Sequence, residues 1–257
     1  MMSWSEGDPH GITVTVPDQL TLLQEVAQCL GTGTGFSIAT LNLDHVVKLS
    51  QNAQFRDAYH AHTYVVADGN PIVWLSRLAG QKVALVPGSE LIEPLIAQAA
   101  QSGVPVAFFG GQQATLEKAA QMLSTRHPGL DVVLCRAPDM GFDPLGPAAE
   151  EDIAALRASG ARLVFLALGA PKQEVFAARA QAELPGVGLV SIGAGLDFIA
   201  GTQKRAPAWV RHLSAEWLWR LLSNPQRLFR RYAACLYILP ALTGKALKTR
   251  QRDKKTS

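Results

Sequence analysis

The 257-residue chain contains no D-x-D, no C-x-x-C and no G-x-G-x-x-G set between a strand and a helix. Without D-x-D it lacks the carboxylate pair with which many nucleotide-sugar enzymes hold a divalent ion. A phosphate leaving group would then have to be met by arginine or lysine. There are three cysteines, Cys29, Cys135 and Cys235, too scattered for a disulfide framework or a zinc knuckle, and they read as idle thiols of a reducing compartment. His60 and His62 form an H-x-H, but no further His or Cys is spaced to complete a metal site, so they read as loop or surface histidines. Long hydrophobic runs are also missing. The longest near the C-terminus, AACLYILPAL, is about half of the ~20 residues a spanning helix needs, and it contains Pro240. The opening MMSWSEGDPHG is acidic and has no apolar stretch, which is unlike a secretory signal. Any membrane contact is expected to be peripheral.

What is present is unevenly distributed. The net charge of +3 hides a division at residue 200: of 24 Lys+Arg and 21 Asp+Glu, 13 and 2 fall in residues 201–257, a net of +11, leaving 11 against 19, a net of −8, before them. A block that basic attracts an anionic surface, either lipid headgroups or nucleic-acid phosphate. The first 200 residues repeat another theme, an apolar run, a glycine and a helical pattern, in GFSIATLN, TYVVADGNPIVWLSRLAG, VPVAFFGGQQATLEKAAQML, RLVFLALGAPKQEVFAARA and GLVSIGAGLDFIAG. Near-continuous Val/Ile/Leu/Phe runs followed by helices suit strands buried on both faces. They predict an α/β, Rossmann-like, doubly wound and mostly parallel sheet over residues 1–200, with a basic helical appendage over 201–257. Ligands of such sheets sit at the carboxyl ends of the strands.

Several candidates fall at those ends. Asp68, in VVADGNP, terminates an apolar strand where partial desolvation suits a carboxylate to act as a base; an Asp-Gly turn or a helix cap explains it equally. Gly110 and Gly111, in FFGGQQ, offer backbone N–H groups at a helix start to a diphosphate or ribose, though any tight βα turn is built this way. In GAPKQE, Pro171 is expected at the first helical position, and a capping turn accounts for it and for Glu174. Lys172 opposes the helix dipole there and suits a neighbouring anion. GTGTGF precedes a strand and reads as a flexible turn. Beyond Pro225, Leu228, Phe229, Tyr232, Leu236 and Leu239 recur at helical steps while Arg227, Arg230 and Arg231 occupy other angles, an amphipathic basic helix that either packs on the sheet domain or lies on a membrane. The tail KALKTRQRDKKTS reads as solvated and frayed.

Taken in order, TLNLDH, VVADGNPIVWLSRLAG, VPGSEL, FFGG, LALGAPKQE, SIGAGLDFIAGTQKRAPAW and EWLWRLLSNPQRLFRRY resemble the motifs of the WecG/TagA/CpsF family of bacterial glycosyltransferases, over roughly residues 38–232. In the first motif Leu41 replaces the family's usual proline between Thr40 and Asn42, which alters backbone stiffness more than chemistry. The resemblance implies transfer of a sugar from a UDP-sugar to a polyprenyl-diphosphate-linked acceptor at the cytoplasmic face of the plasma membrane. It implies no metal and no other cofactor. It makes Asp68 the catalytic base, places Thr40, Asn42 and Gln173 in the same pocket, and gives the diphosphate and the bilayer to arginines of the appendage, Arg220, Arg227 and Arg230 or Arg231. Gly193 and Arg205, within the SIGAGLDFIAGTQKRAPAW stretch, are expected to line the substrate site.

Under this reading the partners are the UDP-sugar, the lipid-linked acceptor and an anionic membrane, not nucleic acid, and a homo-oligomer is left open. N-acetylmannosamine, its uronic acid and glucose all suit relatives of this kind as the transferred sugar. Two other classes compete: a nucleotide-dependent oxidoreductase on the same sheet, and a noncatalytic membrane- or nucleic-acid-binding module whose function is the basic tail.

Overall fold

A computed structural model of the chain describes residues 2–4, 11–203, 207, 219, 222 and 225–256. Its sheet has six strands, β1 (Phe36–Leu41), β2 (Tyr64–Ala67), β3 (Val106–Gly110), β4 (Val132–Arg136), β5 (Leu163–Ala167) and β6 (Gly188–Ser191). They are ordered β2-β1-β6-β5-β3-β4 and every pairing is parallel. This is the doubly wound α/β architecture expected from the repeated apolar runs, and all five of those runs form strands. The sixth strand, β4, lies at the sheet's edge with all five residues only half-buried, and it lacks the glycine-then-helix continuation that marks the others.

Alternation along the strands sends successive side chains to opposite faces, so each face has its own core. On one face Ile38, Phe108, Phe165 and Val190 pack against helices α1 (Gln19–Thr32), α5 (Gly88–Ser102), α6 (Gln113–Arg126) and α9 (Gly195–Ala200). On the other, Ala39 and Leu41 meet α2 (Leu43–Gln51), α3 (Ala53–Ala61) and α4 (Asn70–Leu78), while Phe109 and Leu166 meet α7 (Pro147–Ala158) and α8 (Lys172–Glu183). Phe109 stacks on Phe176 of α8 with ring centroids 4.5 Å apart, a contact that adds about 0.5–1.5 kcal/mol beyond the buried area. GTGTGF is the stop of α1, where Gly33 takes the left-handed conformation at φ 75° before the chain turns into β1.

β2 is the other edge strand, but two irregular segments line its outer side. Thr15 N donates to Val65 O at 2.9 Å, Val65 N donates to Thr15 Oγ1 at 2.8 Å, and Val86 N donates to Ala67 O at 2.8 Å.

The last helix, α10 (Pro225–Thr256), departs from the sequence reading in two ways. The tail expected to fray is its final turns. The stripe it buries also differs in part from the expected one: Cys235, Leu242 and Ala246 are buried and Ile238 and the expected Leu239 are partly buried, packed against α2 and α4, whereas the expected Phe229 and Leu236 are 66% and 60% exposed. Both faces of α10 are apolar there, so composition alone could not select the inward one. Among the described residues no helix is long and apolar enough to cross a membrane.

Candidate active site

The helices that follow β1 and β6, α2 and α9, pack on opposite faces of the sheet. The connections leaving these neighbouring strands therefore run to opposite sides of the sheet, the switch point at whose carboxyl edge doubly wound sheets form their ligand crevice. Asp68 follows β2 directly and is half-buried; its backbone N–H donates to Leu41 O at 2.7 Å, which ties it to the end of β1. Gly69, at φ 111°, is the cap residue of α4 and makes no side-chain cap bond. The N-cap position of α4 is thus held by Gly69, one residue after Asp68. Asn42 caps α2, its Oδ1 accepting from His45 N at 3.0 Å, which commits its oxygen and leaves its NH2 group as the end able to donate to a ligand. Thr40 is buried at the end of β1, and the backbone of α5 passes close over it. A Cβ on Gly88 would lie 3.2 Å from Thr40 Cγ2 and 3.0 Å from Ser191 O, so a side chain there would push α5 off the crevice.

Gln173 is buried and spans two turns. Its Oε1 accepts from Gly193 N at 3.1 Å, and its Nε2 donates to Glu174 Oε1 at 2.8 Å. It links the start of α8 to the β6–α9 turn, and Gly193's N–H is spent on this bond. Pro171 is itself the N-cap of α8, one position before the expected one, and Glu174, in the first turn, is fully buried. Lys172 is exposed at the first position of that helix.

Thr40, Asn42, Asp68, Gln173 and Gly193 thus gather at the ends of β2, β1 and β6. Gly110 and Gly111 end β3, two strand spacings, about 10 Å, from β6 and the Gly193 turn. Gly110 has a packing reason of its own: a Cβ there would sit 2.7 Å from the Ala167 carbonyl of β5. Arg205 and Arg220 lie outside the described residues, as does the side chain of Arg227. Arg230 is exposed on α10, and Arg231 Nε is 3.0 Å from Asp44 Oδ1. His62 is buried, with Nδ1 2.7 Å from Ala58 O, which corrects the reading of it as a surface residue.

Beneath the crevice lies a buried polar cluster that the sequence reading missed. Tyr59 Oη is 2.6 Å from His45 Nδ1 and donates to Thr40 O at 3.4 Å. Burial, reinforced by Glu174 and Asp68, holds the Tyr59 hydroxyl well above its ordinary value, and burial pushes His45 down to about 3. Burial likewise pushes the Glu174 carboxyl up to about 7, with one oxygen unpartnered among the described residues. The one legible signal was the Asp44/Lys48 spacing, an i,i+4 pair that closes at 2.7 Å.

Because Glu174 binds its proton more tightly folded than unfolded, its contribution to stability is fully present below about pH 4.5 and is lost as pH rises through about 7. Glu174→Gln should therefore gain stability relative to the parent between pH 5 and pH 8, by up to ~3 kcal/mol. Urea midpoints at the two pH values check this; a difference that does not change with pH would assign the carboxyl an ordinary titration.

A wholly parallel sheet with polar side chains gathered at the carboxyl ends of its strands defines a ligand-binding α/β protein of the doubly wound class. The model of the glycosyl transferase WecG/TagA/CpsF family matches residues 8–256, and the chain belongs to that family. The match takes in most of the first 30 residues and the tail after Tyr232, where the motifs themselves fell silent. The protein is accordingly a glycosyltransferase of cell-surface polysaccharide synthesis.

Proposed function

We propose that the chain moves a sugar, with inversion, from a UDP-sugar to a polyprenyl-diphosphate-linked acceptor on the cytoplasmic face of the bacterial plasma membrane, without a metal ion. The observation that carries this reading is the gathering of Asp68, Asn42, Thr40 and the Gln173–Gly193 link at one strand-end crevice in a member of this family. Asp68 takes the proton of the acceptor hydroxyl as that oxygen bonds to the anomeric carbon, and the bond from that carbon to the diphosphate oxygen breaks with its electron pair leaving on UDP. The departing diphosphate needs positive charge. Arg205, Arg220, Arg227 and Arg230 supply it in this reading, Arg231 being engaged by Asp44.

Residues 1–200 form the catalytic unit and 201–257 the basic, membrane-facing appendage. Its net charge of +11 and the exposed Phe229, Leu236 and Tyr237 of α10 suit an anionic interface better than water. Isothermal titration tests the donor class, with UDP binding and NAD(H) not binding; the reverse result returns the oxidoreductase to first place. The absence of D-x-D leads to a second expectation, that most activity survives excess EDTA. Activity lost to EDTA and restored by magnesium or manganese would replace the arginines with a metal.

A further inference from the structure

A short chain of charges joins the C-terminal helix to the crevice. Arg231 Nε of α10 is 3.0 Å from Asp44 Oδ1 of α2, and Asp44 Oδ2 is 2.7 Å from Lys48 Nζ one turn further along. Lys48 Nζ in turn donates to the carbonyl oxygen of Ala170 at 3.1 Å. Ala170 lies in the β5–α8 turn, three residues before Gln173. Elements remote in sequence therefore meet through one carboxylate, and that carboxylate is only 11% exposed. A charge so shielded and shared by two cations depends on both of them.

A plain fastener for α10 is the simplest explanation, and two features argue for more. Leu242 and Ala246, about three to four turns beyond Arg231, already bury the helix against the body, so α10 does not need the ion pair to stay docked. The far end of the chain is the backbone of the turn that carries Gln173, not another surface side chain. We propose that Arg231, Asp44 and Lys48 are positioning residues that couple the seating of the first turns of α10 to the geometry of the β5–α8 turn and, through Gln173, of the Gly193 turn. Arg227 and Arg230 lie within one turn of Arg231, so the same seating delivers the part of α10 assigned to the diphosphate. The inference rests on reading this crevice as the donor pocket.

Hydrogen exchange on the full-length chain tests the coupling without any substrate. The reporters are the amides of Lys172 and Val175, which donate to the carbonyls of Gly169 and Pro171. In Arg231→Met and in Asp44→Asn, exchange across 168–175 should speed up several-fold, and Arg231→Lys should stay near the parent. With the donor and a soluble acceptor, each of the two damaging variants should lower kcat about tenfold, and the double variant should be no slower than either single one. A fastener would speed exchange along α10 and leave 168–175 and kcat unchanged, which overturns the proposal, as do additive losses in the double variant. Arg231 is partly exposed, so its variants keep the fold even if Asp44→Asn does not. If the parent chain turns over no UDP-sugar, the donor reading fails while the exchange data still decide the coupling.

Discussion

Asp68→Asn is expected to lower turnover at least about a hundredfold while UDP affinity changes by less than about twofold. General-base assistance contributes about 10²–10⁴ in rate, and an amide of the same shape cannot take the acceptor's proton. The local structure makes the result interpretable. Asp68 is held at the end of β1 by its own backbone N–H to Leu41 O, a bond that asparagine keeps. Rates with a soluble polyprenyl-diphosphate analogue, beside a UDP titration of the same preparation, separate chemistry from binding. Near-parental turnover would remove Asp68 from the base role. A matching loss of UDP affinity would make it a donor contact instead.

Deleting residues 225–257 should abolish turnover, even with an acceptor that needs no membrane, and should also destabilise what remains by about 3–5 kcal/mol. Of the two places the sequence left open for this helix, the sheet domain or a membrane, α10 takes the first along part of its length and closes an apolar cluster of that domain. Leu242 and Ala246 are 4% and 0% exposed in a core shared with Ile72, Leu75 and Val83. Exposing such a seam costs about 25 cal/mol per Å² of apolar surface returned to water. Leu242→Ala should cost about 2–5 kcal/mol by itself, because the helix and sheet around it cannot collapse into the space. Urea denaturation of both variants decides the matter: a midpoint within error of the parent would make α10 a passenger on the domain.

How far the sequence carried differs from one element to the next, for physical reasons. Strands β1, β2, β3, β5 and β6 were legible because a strand buried on both faces has to be a continuous apolar run, and few other structures demand one. β4 was not, since an edge strand needs no such run and DVVLCR is short and half-exposed. Asp68 and Asn42 could be placed by their position at strand ends, and Thr40 by the motif around it. Gln173 was placed in the pocket, but its bonds to Gly193 and Glu174 depend on how two distant turns meet, and no local pattern encodes that. Glu174 shows the same limit more sharply. Three residues past the proline of a helix start it looked like a capping glutamate, and only the packing of α3 against α8 makes it a buried acid.

The way β2 is finished on its outer side bears on how copies of the protein can meet. An open parallel sheet has two edges, and each is a template onto which a strand from another molecule can be added. At Val65 and Ala67 that template is already occupied by Thr15 and Val86. A neighbouring chain cannot extend the sheet beside Asp68 without first evicting the protein's own segments. Sheet-to-sheet joining, with the misassembly it invites at high concentration, is thereby directed to the far edge at β4, five strand spacings, about 24 Å, from β2.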